Sequence, residues 1–116
     1  MVESDVLPLG VNLDPANLLL YGNGRPLEAV DVLGKYIRNT HCKDGLWPAD
    51  ETSMGKEVPL GEGEVDFPHL IPKLYAAGFR GPLTIEREIS GPQQRADILR
   101  AKKMLEQIRD KVLAAK

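Results

Sequence analysis

Three side chains of the metal-ligating and acid–base types, Asp14, His41 and Glu86, each lie at or just after an apolar segment that suits a β-strand. Two carboxylates and one imidazole suit Mn, Mg, Co, Zn or Fe rather than a thiolate zinc site. In a parallel α/β sheet the carboxyl ends of the strands meet at one edge, where chemistry gathers. We therefore expect these three side chains to bind one divalent metal.

Each of the three has a simpler role when it is taken alone. Asp14 is typical of a turn aspartate, and His41 is typical of a hydrogen-bonded histidine at a strand end. Glu86 belongs to a charged group with Arg87 and Glu88 that suits a solvated surface. Their joint occurrence at equivalent positions of successive units favours the metal site.

The predicted strands set the positions of these side chains. We predict strands at residues 9–13, 36–42 and 83–86, from their apolar and β-favouring residues. The first strand ends at Pro15, which lacks a backbone donor and restrains the preceding residue to extended geometry. The long connection over residues 45–65 is typical of a functional lid or a disordered segment.

A helix is predicted after each strand, with signals at its start or its end. The first helix is predicted to begin at Pro26 and to end at Gly34, and the second to begin at Asp66 and to end at Gly78. The third is predicted to begin at a capping box formed by Ser90 and Gln93. Apolar residues three and four apart from Ile98 to Val112 make the last helix long and amphipathic. Strands that alternate with helices predict an α/β fold with a parallel sheet.

Composition restricts the class of protein. The chain has 116 residues, 28% charged and 42% hydrophobic, with a formal net charge of −2. These values exclude wholesale disorder and argue against nucleic-acid binding, which favours a basic face. The length suits one domain and falls short of the roughly 200 to 250 residues of a closed α/β barrel. The single cysteine, the acidic start and the lack of a long apolar run predict a cytoplasmic protein without a membrane span.

Four stretches resemble the sugar phosphate isomerase/epimerase family, which has the xylose-isomerase-like TIM barrel. They are Val11–Asn17, Asn39–Gly45, Val58–Gly63 and Leu83–Glu88. The resemblance implies that residues 1–116 are a C-terminal fragment of a (β/α)8 barrel, a partial TIM barrel of three βα units. Oligomerisation or a missing N-terminal half would then complete it. By position the three strands correspond to strands six, seven and eight.

The resemblance also implies roles for individual residues. Asp14, His41 and Glu86 correspond to metal ligands, and Glu86 is in addition the expected catalytic residue. The substrate-binding positions that it implies are Asn17, Lys43, Asp44 and Glu62. The strand-five Glu of the family has no counterpart before Asp14, and Asn17 stands where several epimerases have a histidine.

The implied function is a divalent-metal-dependent sugar or sugar-phosphate isomerase or epimerase that transfers a proton through an enediolate. The metal (Mn, Mg, Co or Zn) would act as a Lewis acid on the substrate oxygens. The alternative is a barrel remnant that oligomerises without turnover. The abasic-site nuclease branch of the superfamily ranks last, because it needs more histidines than His41 and His69. The turn Gly22–Arg25 suits either a plain turn or a phosphate site.

The expected partners follow from the same resemblance. They are a small-molecule sugar or sugar phosphate and either a second copy of the chain or a separate N-terminal half. Neither nucleic acid nor a membrane is expected.

Overall fold

The computed structural model describes residues 10–22 and 24–115. Five strands and four helices follow one another along this part of the chain: β1 (Val11–Leu13), α1 (Pro15–Leu20), α2 (Pro26–Leu33), β2 (Ile37–Cys42), β3 (Asp44–Leu46), β4 (Lys56–Val58), α3 (Phe67–Ala76), β5 (Leu83–Ile85) and α4 (Pro92–Ala114). A 3₁₀ turn (Gly34–Tyr36) joins α2 to β2. The predicted first strand includes Leu9, which lies outside the described residues.

The main sheet has the order β1-β2-β5, and both pairings are parallel. The backbone N–H of Glu86 donates to the carbonyl of Cys42 (3.0 Å), so the pairing continues one residue past β5. Three parallel strands, each followed by helices, confirm the predicted α/β class. The central position of β2 places its carboxyl end between those of β1 and β5.

The hydrophobic core lies between this sheet and the helices. Its buried members are Leu13, Ala16, Leu19, Leu20, Val30, Ile37, Cys42, Val65, Phe67, Leu70, Ile71, Leu74, Phe79 and Leu105. Asn12, His41 and Thr84 each lie between two residues of their strand that are buried or pack on the core. Because side chains alternate along a strand, these three face the other side of the sheet, where a closed barrel has its interior.

The structure contains a short helix, α1, that the sequence pattern does not predict. Pro15 occupies its first turn, and the Asp14 side chain accepts a hydrogen bond from the backbone of Asn17 (3.1 Å). Proline at this position and an aspartate cap are both favourable at a helix start. A helix of six residues is too short to show a periodic apolar pattern, which explains why it was missed.

The connection over residues 45–65 has secondary structure of its own, so the expectation of a disordered segment is wrong, whereas the functional lid stays a prediction. β3 and β4 form an antiparallel hairpin within it. The Asp44 carboxylate organises the return from this hairpin, since it accepts hydrogen bonds from the backbone of Gly61, Gly63 and Val65 as well as Gly45. A Cβ at Gly63 would lie 2.3 Å from the Asp44 carboxylate, so this close approach requires glycine.

The predicted helix ends are correct in place but not always in mechanism. Asp66 precedes α3 with φ of 64°, and its carboxylate binds the ring of His69 (2.9 Å) instead of capping the backbone. The Ser90–Gln93 capping box is wrong, because Gly91 is the cap residue and Gln93 donates to Asp97 (2.7 Å).

Glycines end two of the helices in different ways. Gly78 follows α3 with φ of 102°, as predicted for a terminator. Gly34 ends α2 while keeping right-handed helical geometry, and a Cβ there would lie 2.8 Å from that of Ala77. Close packing against the end of α3 is therefore the reason for glycine at position 34. In the described part of the chain, no helix combines the length and apolar character needed to span a membrane.

Candidate metal centre

The ends of the three parallel strands bring Asp14, His41 and Glu86 together. Asp14 follows β1 directly, His41 is the penultimate residue of β2, and Glu86 follows β5. One potential ligand atom from each residue lies within 4.8 Å of those from the other two. We call these residues the strand-end triad. Parallel pairing produces the cluster, because it aligns the carboxyl ends of strands that lie far apart in sequence.

The Asp14 side chain both caps helix α1 and belongs to the strand-end triad. Its Oδ1 accepts from the Asn17 backbone (3.1 Å), and its Oδ2 lies 3.3 Å from Nζ of Lys43. Each carboxylate oxygen offers two lone pairs, so both retain a lone pair for a further ligand. The turn role and the site role considered for this residue are therefore compatible.

The His41 ring spans the distance between two neighbouring strand ends. Its Nδ1 lies 3.2 Å from Oε1 of Glu86, and its Nε2 lies 3.4 Å from Nδ2 of Asn12. The side chains of His41 and Glu86 are 31% and 35% exposed, so both are accessible from the side of the sheet opposite the core.

Lys43 is buried beside the triad, with its side chain 3% exposed. Its ammonium group contacts both Asp14 and Glu88. Burial lowers the pKa of Lys43, but the hydrogen bonds and charges of Glu88 and Asp14 outweigh this effect and raise that pKa above its usual value. The same contact lowers the pKa of Glu88. Lys43 is thus a fixed cation between two carboxylates.

The residues present fit a divalent cation. With the imidazole of His41 neutral, the carboxylates of Asp14, Glu86 and Glu88 exceed the one ammonium group of Lys43 by two negative charges. Oxygen ligands and one imidazole suit ions of the Mg, Mn, Co and Zn type. Because the side chains of His41 and Glu86 are partly exposed, a cation can reach them from the side of the sheet opposite the core, which we call the barrel side.

The four expected substrate-binding residues are not equivalent in the structure. Asn17 lies in α1, one turn beyond Asp14, with its side chain half-buried. Lys43 is buried against the triad, and Asp44, 1% exposed, holds the backbone of the loop after the hairpin. Glu62 is exposed on that loop, 3.7 Å from Arg100.

Arg25 in the predicted turn lies over an aromatic ring. Its guanidinium carbon lies 4.3 Å from the centre of the Trp47 ring, a cation–π distance. Gly22 adopts φ of 66°, as a tight turn requires. This arrangement supports the plain-turn interpretation of the segment.

A second charged cluster adjoins the triad and was missed from the sequence. Arg87 pairs with Glu57 of β4 (3.0 Å) and with Asp97 of α4 (2.8 Å), and we call these three residues the Arg87 cluster. Glu57 also accepts from the backbone of Glu88 (3.2 Å). The cluster fixes the segment after Glu86 between the hairpin and the last helix.

The pKa values within the Arg87 cluster agree with this pairing. Burial lowers the pKa of Arg87, yet its hydrogen bonds to Asp97 and Glu57 raise it overall. The hydrogen bond from Arg87, followed by that from Gln93, lowers the pKa of Asp97. No sequence pattern links residues 57, 87 and 97, because the contact depends on three separate elements.

Asn12 is the other residue at the centre that the sequence interpretation missed. A signal for it exists, because Asn12 precedes Asp14 by two residues and strand alternation puts both on one face.

Comparisons with known proteins agree with this architecture. The family model described as "Xylose isomerase-like TIM barrel" matches residues 2–109. A solved structure titled "Crystal Structure of Xylose isomerase domain protein from Planctomyces limnophilus" is 44% identical, with a TM-score of 0.87. The match covers 91% of this chain but 39% of that one. A search of curated proteins found no match. The extent of the family match, together with three βα units of the expected topology, shows that the chain belongs to the xylose isomerase-like TIM barrel family.

Proposed function

We propose that this chain supplies the metal-binding part of a divalent-metal-dependent isomerase or epimerase that acts on sugars or sugar phosphates. The convergence of Asp14, His41 and Glu86 within 4.8 Å carries the proposal. Membership of a family of generally sugar isomerases and epimerases supports the substrate class. Mn, Mg, Co and Zn all suit the ligand set.

Each residue of the centre has a defined part in this proposal. A divalent cation supplies Lewis-acid stabilisation of negative charge on the substrate oxygens when it is bound. Asp14, His41 and Glu86 hold that cation. Glu86 also takes the proton next to the substrate carbonyl, because its partly exposed carboxylate faces the barrel side. Lys43 fixes the orientation of Asp14.

The rest of the barrel would come from outside residues 1–116. Among the described residues, β1 and β5 each pair with β2 alone, so each offers one free edge. An apolar groove beside β5, lined in part by Leu74, Phe79, Leu83 and Leu105, suits packing against a further βα unit. We propose that a separate N-terminal half or a second copy covers these edges, and that the former brings the fourth ligand, a Glu.

The same edges favour a second candidate function, an oligomerising barrel remnant without turnover. Unpaired parallel strands and an apolar groove promote association whether or not the site is active. The two candidates therefore differ in proton transfer and not in assembly.

Proton exchange separates the two candidates. The purified chain is incubated in D₂O with Mn²⁺ and a panel of ketoses and ketose phosphates, and loss of the proton next to the carbonyl is followed by NMR. Metal-dependent exchange that Glu86→Gln abolishes supports the enzyme. Metal binding without exchange, also after addition of a polypeptide that supplies the N-terminal half of the barrel, supports the remnant. A chain that binds no divalent metal contradicts the proposed metal centre in both cases.

A further inference from the structure

The contacts of the His41 ring support an inference about Asn12, a residue outside the expected ligand set. This inference rests on the proposed function. Nδ1 of this ring lies 3.2 Å from a Glu86 oxygen, whereas Nε2 faces Asn12 at 3.4 Å. The two nitrogens therefore have different neighbours. The Nδ1 atom is the one beside a second metal-type ligand.

The spacing of Nδ1 and Oε1 identifies which nitrogen would bind the cation. Two donors about 2.1 Å from one ion lie about 3.0 Å apart in an octahedral site and about 3.4 Å apart in a tetrahedral one. The observed separation of 3.2 Å falls between these values. A cation held by His41 and Glu86 together would use Nδ1, and the proton of the neutral ring must then be on Nε2.

A metal-bound imidazole almost always donates its other N–H to an acceptor, which fixes the tautomer and the ring orientation. We infer that Asn12 is this acceptor and is a positioning residue for His41. In the structure the Asn12 amide presents Nδ2 to the ring. Half a turn of the amide group presents Oδ1 instead, so the same side chain accepts from Nε2–H once Nδ1 binds a metal. Asn12 is exposed, which leaves the amide free to turn.

Strand geometry supports the assignment. β1 and β2 are adjacent and parallel, and the Asn12 and His41 side chains lie on the face opposite the core. On the other side of His41, Thr84 of β5 is the register partner. Thr84 therefore provides a matched control position on the same face.

Zinc affinity and the tautomer of His41 test the inference. Asn12→Leu should weaken Zn²⁺ binding by roughly 10- to 100-fold, the usual cost of losing an outer-shell partner. Asn12→Asp keeps an acceptor oxygen and should stay within about threefold of the wild type, as should Thr84→Val. Circular dichroism of each variant checks that the fold is retained.

Nitrogen-15 NMR reports the protonation and the metal ligation of each ring nitrogen of His41. These would not depend on Asn12 if Asn12 had only a structural role. The chain contains two histidines, so His69→Gln leaves His41 as the single histidine signal. With zinc bound, Nδ1 should show ligation and Nε2 should carry the proton. Ligation through Nε2, or an Asn12→Leu variant that binds zinc as tightly as the wild type, would overturn the inference. A wild-type chain that binds no zinc contradicts instead the proposed function on which it rests.

Discussion

The strand-end triad and the Arg87 cluster are neighbours in sequence, since Glu86 and Arg87 are consecutive, but they differ in charge balance and exposure. In the Arg87 cluster the guanidinium contacts both carboxylates, and the three side chains are 12%, 15% and 1% exposed. In the triad two carboxylates meet a histidine, and two of the three side chains are about one-third exposed. Both carboxylates of the first cluster contact Arg87, which leaves one net negative charge, whereas the two carboxylates of the triad carry two negative charges when the imidazole is neutral. Of two adjacent clusters, one is thus suited to stability and the other to a ligand.

The largest effect on stability is expected from removing the guanidinium group of the Arg87 cluster. Arg87→Met leaves Asp97 and Glu57 without their shared partner, and breaking a buried pair in this way costs about 3–5 kcal/mol. Urea unfolding of the purified chain measures the change. Arg100 also contacts Asp97 (3.1 Å) but is 61% exposed, so the matched variant Arg100→Met should cost about 0–1 kcal/mol. Equal losses of unfolding free energy in Arg87→Met and Arg100→Met would contradict this account, because the buried and the exposed ion pair would then contribute the same stability.

Removal of a triad ligand should affect metal binding instead of stability. We expect His41→Ala to weaken Zn²⁺ binding by roughly 100-fold or more, equivalent to about 2.7 kcal/mol. Isothermal titration calorimetry measures the affinity, and thermal melting of the metal-free chain should change little. His69→Ala is the control, because that ring is 77% exposed and pairs with Asp66. A His41→Ala chain that binds zinc normally would remove His41 from the ligand set.

The sequence predicts the triad better than the Arg87 cluster for a physical reason. Asp14, His41 and Glu86 each follow a recognisable strand, and parallel pairing dictates that strand ends meet. Glu57, Arg87 and Asp97 come from a hairpin strand, a loop and a helix, whose mutual placement depends on tertiary packing. The hairpin itself was missed, because its three-residue strands are too short for a clear alternating pattern.

The residues next to an aspartate in the sequence are compatible with more than one structural role for its side chain. Asp14 before a proline is consistent with a turn, a helix cap or a metal ligand, and the structure combines the cap with a place in the triad. The family resemblance implies that Asp44 lies beside the substrate. In the structure its carboxylate accepts hydrogen bonds from backbone N–H groups of a loop that is distant in sequence. Such long-range hydrogen bonds cannot be derived from the residues on either side of an aspartate.

Acid should affect the Arg87 cluster through Asp97. The folded-state pKa of Asp97 is below its ordinary value of 3.8, so the folded chain binds fewer protons than the unfolded chain in this range. The resulting stabilisation is fully present above about pH 5 and is lost as the pH falls through 4 toward the folded-state pKa. Unfolding free energies of the wild type and Asp97→Asn should therefore converge in acid. The exposed Asp110→Asn variant should parallel the wild type, and a constant gap for Asp97→Asn would contradict the assignment.

The smallest expected effect is a slight stabilisation by Glu86→Gln in the absence of metal. At pH 8, where an ordinary imidazole is uncharged, removing one carboxylate from the triad relieves repulsion with Asp14. Because Glu86 is about one-third exposed, we expect this repulsion to be worth about 0–1 kcal/mol, as for other solvent-exposed charge pairs. Urea unfolding in the presence of EDTA measures this gain. Marked destabilisation would instead make Glu86 a structural residue like those of the Arg87 cluster.

The most direct test of the central claim is to locate a bound ion. Crystals of the chain grown with zinc, with data collected on both sides of the zinc absorption edge, give an anomalous difference map that shows where the metal lies. We predict one peak about 2.0–2.2 Å from a ligand atom of each of Asp14, His41 and Glu86. A zinc ion bound elsewhere, or no peak at the three strand ends, would contradict the metal centre.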